Sequence, residues 1–225
     1  METDTIILGD CLEVLRNMPD SSIDLILTDP PYGVSYRSNM GKTKWRRLAG
    51  DSSVPVEWLP EAYRVLKDGS AAYICSHWRT FQTLVDAVES VGFTVRNLIV
   101  LSKAGHGMGN LKEAYAPKHE LMLYAVKGRH YPRWPDGRGT DVWEIPAVRP
   151  FGRRHPTEKS ESWARRAILN SSDPGDIVLD PFCGCGTVPA ACMATDRRFV
   201  GIEIDEEYHA TACSRVLITN TGAGG

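Results

Sequence analysis

The apolar run Ile23-Asp24-Leu25-Ile26-Leu27 stops abruptly at Thr28-Asp29-Pro30-Pro31-Tyr32, and this junction restricts the fold more than any other stretch. A short apolar run bounded by turn signals reads as a buried strand, which puts Asp29 at a strand's carboxyl end. In open α/β sheets that edge binds ligands. Proline fixes its own φ and disfavours the helical region for the residue before it, so Asp29 and Pro30 are both driven toward extended backbone. The stiff segment presents two acceptors, the Asp29 carboxylate and the Pro30 carbonyl, with the Tyr32 ring beside them.

These parts suit an exocyclic amino group on a nucleobase, whose lone pair is delocalised into the ring. Two acceptors on its two N–H groups favour a pyramidal nitrogen and return the lone pair to it. A tyrosine face can stack on the base, which must first leave the duplex. A plain proline turn gives the same tetrapeptide, so the assignment depends on the rest of the chain.

Further apolar runs alternate with helical spacing. Strand character is predicted at 5–8, 71–75, 95–101, 121–126, 177–180 and 199–203, with helices through 57–67, 79–91, 157 onward (Thr157 as N-cap), 187–195 and 205–218. Alternating strands and helices predict an α/β fold with a mostly parallel sheet covered on both faces. Residues 33–53 lose periodicity and carry Arg37, Lys42, Lys44, Arg46 and Arg47 with no acid before Asp51, which predicts a loop touching DNA phosphates. Residues 127–156 are also irregular. There Arg133, Arg138 and other arginines interleave with Trp134 and Trp143, as a nucleic-acid surface requires. Since the net charge is only −2, such local patches must hold any nucleic acid.

The second informative stretch is Asp180-Pro181-Phe182-Cys183-Gly184-Cys185-Gly186-Thr187, which reads as strand, tight turn and helix start. Gly184 and Gly186 allow close backbone approach to a ligand near a helix N-terminus. Pro189 stands where a dinucleotide fingerprint wants its third glycine, which disfavours a nicotinamide site. Glu203 ends the next strand, where α/β nucleoside sites keep an acid for the ribose hydroxyls. Cys183, Cys185 and Cys192 have no second ligand pair at zinc spacing, so they read as small packing residues and no metal is expected. Spread-out cysteines, an acidic N-terminus and the lack of any membrane-length apolar stretch predict a reduced, cytoplasmic protein.

Together these segments resemble the S-adenosylmethionine-dependent amino-group DNA methyltransferases, in the permuted subgroup whose catalytic motif precedes the cofactor motif. Asp29-Pro30-Pro31-Tyr32 matches the catalytic motif and Asp180 to Thr187 the turn around the methionine moiety. Gly201-Ile202-Glu203-Ile204-Asp205 matches the ribose-binding strand end. Gly9-Asp10-Cys11 is similar to the segment reaching the cofactor adenine, and His155-Pro156-Thr157-Glu158-Lys159 to the one whose Thr and Lys lie near the methionine carboxylate.

The resemblance implies a circularly permuted, seven-stranded, Rossmann-like methyltransferase sheet with one reversed strand. It implies one domain over 1–225: a catalytic half (1–102), a variable DNA-contacting insertion (103–154), a cofactor half (155–219) and a disordered tail (220–225). The implied activity is methylation of adenine N6 in double-stranded DNA, and family members often pair as homodimers. Asp29 favours adenine, because cytosine N4 enzymes usually resemble Ser-Pro-Pro-Tyr. Cytosine N4 methylation, an RNA or protein amino-group methyltransferase, and a silent DNA-binding or cofactor-sensing domain stand as alternatives.

Overall fold

The computed structural model describes residues 1–33, 54–105, 113–135, 137–146 and 161–222. The strands are β1 (Thr5–Leu8), β2 (Ile23–Thr28), β3 (Leu66–Ser76), β4 (Thr94–Lys103), β5 (His119–Val126), β6 (Val142–Ile145), β7 (Ile177–Asp180) and β8 (Arg198–Glu203). The helices are α1 (Cys11–Arg16), α2 (Leu59–Val65), α3 (Phe81–Ser90), α4 (Ser162–Ser171), α5 (Thr187–Met193) and α6 (Glu206–Gly222). The strands form one sheet in the order β1-β8-β7-β2-β3-β5-β4-β6. Among the described strands only β5 runs against its neighbours, pairing antiparallel with both β3 and β4.

β2 lies centrally, with all its residues but Asp24 buried, as expected for a strand covered on both faces. Ile26 pairs with Leu179 of β7, and Thr28 with Ile74 of β3. Side chains alternate across the sheet. Leu25 and Leu27 face Trp163, Ala164, Ala167 and Ile168 of α4 and Val188 and Ala191 of α5. Ile26 faces Leu15, Trp58, Leu59, Ala62, Leu84 and Val88 on the other side, and Ile23 joins it there because the register shifts between Ile23 and Leu25. Full burial of one such side chain is worth about 1.5–3 kcal/mol, so these two layers fix the register of β2. That register carries Asp29 to the edge formed by the carboxyl ends of β1, β8, β7 and β3. At the opposite edge, Lys67 Nζ donates to Asp24 (2.6 Å) and Ile177 N–H donates to the other oxygen of the same carboxylate (3.1 Å).

Several boundaries differ from the sequence reading: β3 begins at Leu66, inside the stretch expected to close the helix at 57–67 and five residues before the strand expected at 71–75. α4 begins at Ser162 with Glu161 as its cap position, so Thr157, outside the described residues, is not its N-cap. α6 continues to Gly222, past Ile218 and into the stretch expected to be tail. β6 is an eighth strand, pairing parallel to the end of β4 (Val100 with Val142, Lys103 with Ile145). Its four residues lie within a stretch read as irregular in the sequence. No helix among the described residues is long and apolar enough to cross a membrane.

Candidate active site

Asp29 follows β2 directly, and the sheet brings it to Asp180 at the end of β7 and Glu203 at the end of β8. The buried Thr28 hydroxyl donates to Asp180 Oδ1 (2.7 Å), and Phe182 N–H donates to the same oxygen (3.2 Å). Burial raises the Asp180 carboxyl to a pKa of about 7, opposed by those two hydrogen bonds and reinforced by the nearby charges of Asp29 and Glu203. Burial also raises Glu203, although it accepts backbone N–H groups from Gly184 (2.7 Å) and Asp205 (2.8 Å). Three carboxyl groups thus converge at one sheet edge.

The Tyr32 hydroxyl donates to Asp29 Oδ1 (2.5 Å), orienting the carboxylate, and its ring centroid lies 6.3 Å from that of His77. Pro30 is buried and Pro31 half-buried. The motif is thereby anchored at its second position, while Asp29 and Tyr32 remain partly open.

Cys183 N–H donates to Ile202 O (2.9 Å), fastening the turn after β7 to β8. Gly184 (φ +54°) and Gly186 (φ +79°) adopt the left-handed region that side chains avoid. Their surroundings separate their roles. A Cβ at Gly184 would meet nothing within 4 Å, whereas at Gly186 it would lie 3.1 Å from the Ala212 Cβ of α6. Gly184 borders open space and is required by its backbone conformation alone, whereas Gly186 is also required by its packing against α6. Gly201 is glycine for a third reason: a Cβ there would sit 3.0 Å from Cys183 Sγ. Cys183 and Cys185 are buried, and burial holds the Cys183 thiol well above its ordinary range, so packing describes Cys183 well. No group of three or more potential metal ligands occurs among the described residues.

Around this turn, Phe182 packs edge-on to the buried Trp58 (5.4 Å) and Thr187 opens α5. Asp10 caps α1, accepting from Leu12 N–H (2.9 Å) and Glu13 N–H (3.2 Å). Burial and the neighbouring Asp10 push the Cys11 thiol to about 12, so it stands as a neutral thiol. Leu8 and Ile204, at the ends of β1 and β8, are 47% and 56% exposed and leave apolar surface at the crevice rim.

Not every expected site residue joins this cluster. Arg37, Lys42, Lys44, Arg46 and Arg47, and His155, Thr157 and Lys159, lie outside the described residues. Arg133 is away from the edge that carries Asp29. Because β5 is reversed, the chain after Val126 leaves from the opposite edge, where His130 Nδ1 meets Gly69 O (2.7 Å) and Arg133 pairs with Asp173 (2.7 Å). Arg138 is exposed one residue before Gly139, whose Cβ position faces the Arg166 guanidinium of α4.

Sequence reasoning missed three residues. Thr28 hydrogen-bonds the crevice carboxylate, His77 stands beside Tyr32, and Arg215 secures the turn from α6. Arg215 is buried, donates to Cys185 O and Thr187 Oγ1 (3.3 Å each) and pairs with Glu161. Its only sequence signal is a cation within a helix whose neighbours, Ala212 and Val216, are apolar.

Residues 23–214 match the DNA methylase family. The DNA adenine methyltransferase YhdJ of Escherichia coli (strain K12) is 32% identical over 243 residues, covering 92% of this chain and 80% of its own length. Among solved structures, the M1.HpyAVI–SAM complex superposes with a TM-score of 0.73 at 26% identity, covering 94% of this chain and 98% of that one. The cytosine-N4-specific PvuII DNA methyltransferase superposes at 0.77 but is only 16% identical, covering 96% of this chain and 86% of that one, so it is a likeness of fold.

Proposed function

The chain belongs to the DNA methylase family, and from that premise we propose that it methylates the N6 amino group of adenine in double-stranded DNA, with S-adenosylmethionine as methyl donor. The observation that carries this reading is the convergence of Asp29, Asp180 and Glu203 at one sheet edge with the Tyr32 ring beside Asp29.

The crevice fits the donor. Acidic groups at this edge favour a cationic donor, and Glu203, oriented by the Gly184 and Asp205 N–H groups, has lone pairs left to accept ribose hydroxyls. Leu8 and Ile204 offer apolar cover for a purine, and Gly184 gives backbone access. When bound, S-adenosylmethionine supplies a methyl carbon made electrophilic by its sulfonium.

The chain's own residues prepare the nucleophile. Asp29 and the Pro30 carbonyl accept the two N–H groups of the extrahelical base, concentrating the lone pair on its exocyclic nitrogen. The Tyr32 hydroxyl keeps the Asp29 carboxylate aimed, and its ring stacks on the base. Fixing the amine in near-attack geometry supplies on the order of 7–11 kcal/mol of the barrier. The amine's proton leaves to solvent.

Asp29 at the first motif position supports adenine, as does the relative named a DNA adenine methyltransferase. The basic stretch from Arg37 to Arg47 meets DNA phosphates, and His155, Thr157 and Lys159 serve the donor's carboxylate end. A second copy of the chain contributes further DNA contacts, in the reduced cytoplasm where its substrate lies. The test is incubation with methyl-labelled S-adenosylmethionine and unmethylated genomic DNA, followed by digestion to nucleosides. Label in N6-methyladenine is expected. Label in N4-methylcytosine would overturn the base assignment and leave the donor site standing.

A further inference from the structure

β3 ends one strand away from Asp29, and the residues that follow it turn outward. Ser76 is buried, yet Trp78, two residues later, is 63% exposed. The turn itself is firmly held: Thr80 N–H donates to His77 O (3.0 Å), as does the Thr80 hydroxyl (3.3 Å), and α3 follows at once. Arg79 N–H donates to His77 Nδ1 (3.3 Å), so the neutral imidazole carries its proton on Nε2.

The rings form a continuous series. Tyr32 and His77 centroids are 6.3 Å apart, His77 and Trp78 5.7 Å, and the Arg79 guanidinium carbon lies 5.1 Å from the Trp78 ring centre. A path of π-faces therefore starts at the catalytic tyrosine and ends at a guanidinium on the protein surface. Trp78 gains little from burial at this exposure, so core packing does not account for so large an apolar ring on a rigid turn. An open indole face suits a nucleobase, which stacks with little regard to sequence, and a guanidinium suits the phosphate attached to it.

We propose that His77-Trp78-Arg79 is a DNA-docking turn: Trp78 stacks on a nucleotide next to the one delivered to Tyr32, and Arg79 meets the adjoining phosphate. The proposal deepens the reading of DNA as substrate and rests on it. The turn adds affinity and strand position while leaving sequence choice to other residues.

The experiment measures equilibrium binding of the full chain to a labelled DNA duplex, without turnover, alongside S-adenosylmethionine binding. Trp78→Ala is expected to weaken DNA binding about 5- to 150-fold. Trp78→Phe should recover most of that loss, and all variants should bind S-adenosylmethionine as the wild type does. Arg79→Ala should reduce the slope of log affinity against log salt by about 0.9, a change Trp78→Ala should not produce. Wild-type DNA affinity in Trp78→Ala would overturn the docking turn alone. A wild-type protein that binds S-adenosylmethionine but neither binds nor methylates DNA would overturn the substrate reading and this proposal with it.

Discussion

Replacing Asp180 by asparagine isolates the electrostatic tension in the crevice. Asp180 is 3% exposed, and burial, with smaller contributions from Asp29 and Glu203, lifts its carboxyl from 3.8 to about 7. Between those two pH values the folded protein retains a proton that the unfolded chain has released. The stabilising contribution is complete below the unfolded value and is lost as pH rises through the folded one. The slope is about 1.4 kcal/mol per pH unit, and over roughly three units the loss comes to about 4 kcal/mol. Asparagine is neutral throughout, and its carbonyl oxygen can still accept from the Thr28 hydroxyl and Phe182 N–H. The stability of Asp180→Asn minus that of wild type should therefore rise by about 4 kcal/mol between pH 4 and pH 8, with most of the change below pH 7. Urea titrations of both proteins at half-unit pH steps measure it, and the subtraction cancels carboxylates common to both. A difference that stays flat across this range would show Asp180 titrating as an ordinary surface acid and would refute the burial argument.

Other substitutions separate catalysis, cofactor access and scaffold. Asp29→Ala should reduce labelled methyl transfer to background while S-adenosylmethionine binding by calorimetry changes little; retained turnover would remove Asp29 from the chemistry. Gly186→Ala combines left-handed backbone with a 3.1 Å approach to Ala212 and should cost about 1–3 kcal/mol, seen as a Tm lowered by several degrees. Gly184→Ala lacks that clash and should melt closer to wild type but bind S-adenosylmethionine more weakly, so equal melting of the two variants would contradict their separate roles. Arg215→Met deletes the hydrogen bonds to Cys185 O and Thr187 and the Glu161 ion pair, and should lower unfolding free energy by about 1–3 kcal/mol in urea titrations.

The strand ends that build the crevice were legible because their signals are local. The runs ending at Asp29 and Asp180 each stop at a proline, and the run ending at Glu203 fills one strand length, so periodicity and turn chemistry agree. The helix face of Trp163, Ala164, Ala167 and Ile168 was legible for the same reason, and all four are buried. What sequence could not supply was relation across the sheet. The continuous apolar run of residues 121–126 reads the same whether the strand runs up or down, so it does not show that β5 is the reversed strand or that Arg133 faces Asp173 on the far edge. The pairing of Cys183 with Gly201, and the reach of Arg215 to the cofactor turn, likewise arise only when elements far apart in sequence meet. The four residues of β6 take their strand form from pairing with β4 rather than from their own pattern.

The strand order also governs timing during synthesis. β2, bearing the Asp-Pro-Pro-Tyr motif, is made well before its neighbour β7, which follows roughly 150 residues later, and β1 likewise waits for β8. On the ribosome the early half exposes one long flank of an unfinished sheet, with Thr28 and Asp29 facing water. Neither Asp180 nor Glu203 can join them until the last two strands emerge. A nascent chain therefore cannot use donor binding to guide its folding, and a break in translation between residues 33 and 176 yields a fragment carrying the Asp-Pro-Pro-Tyr motif without Asp180 and Glu203 beside it.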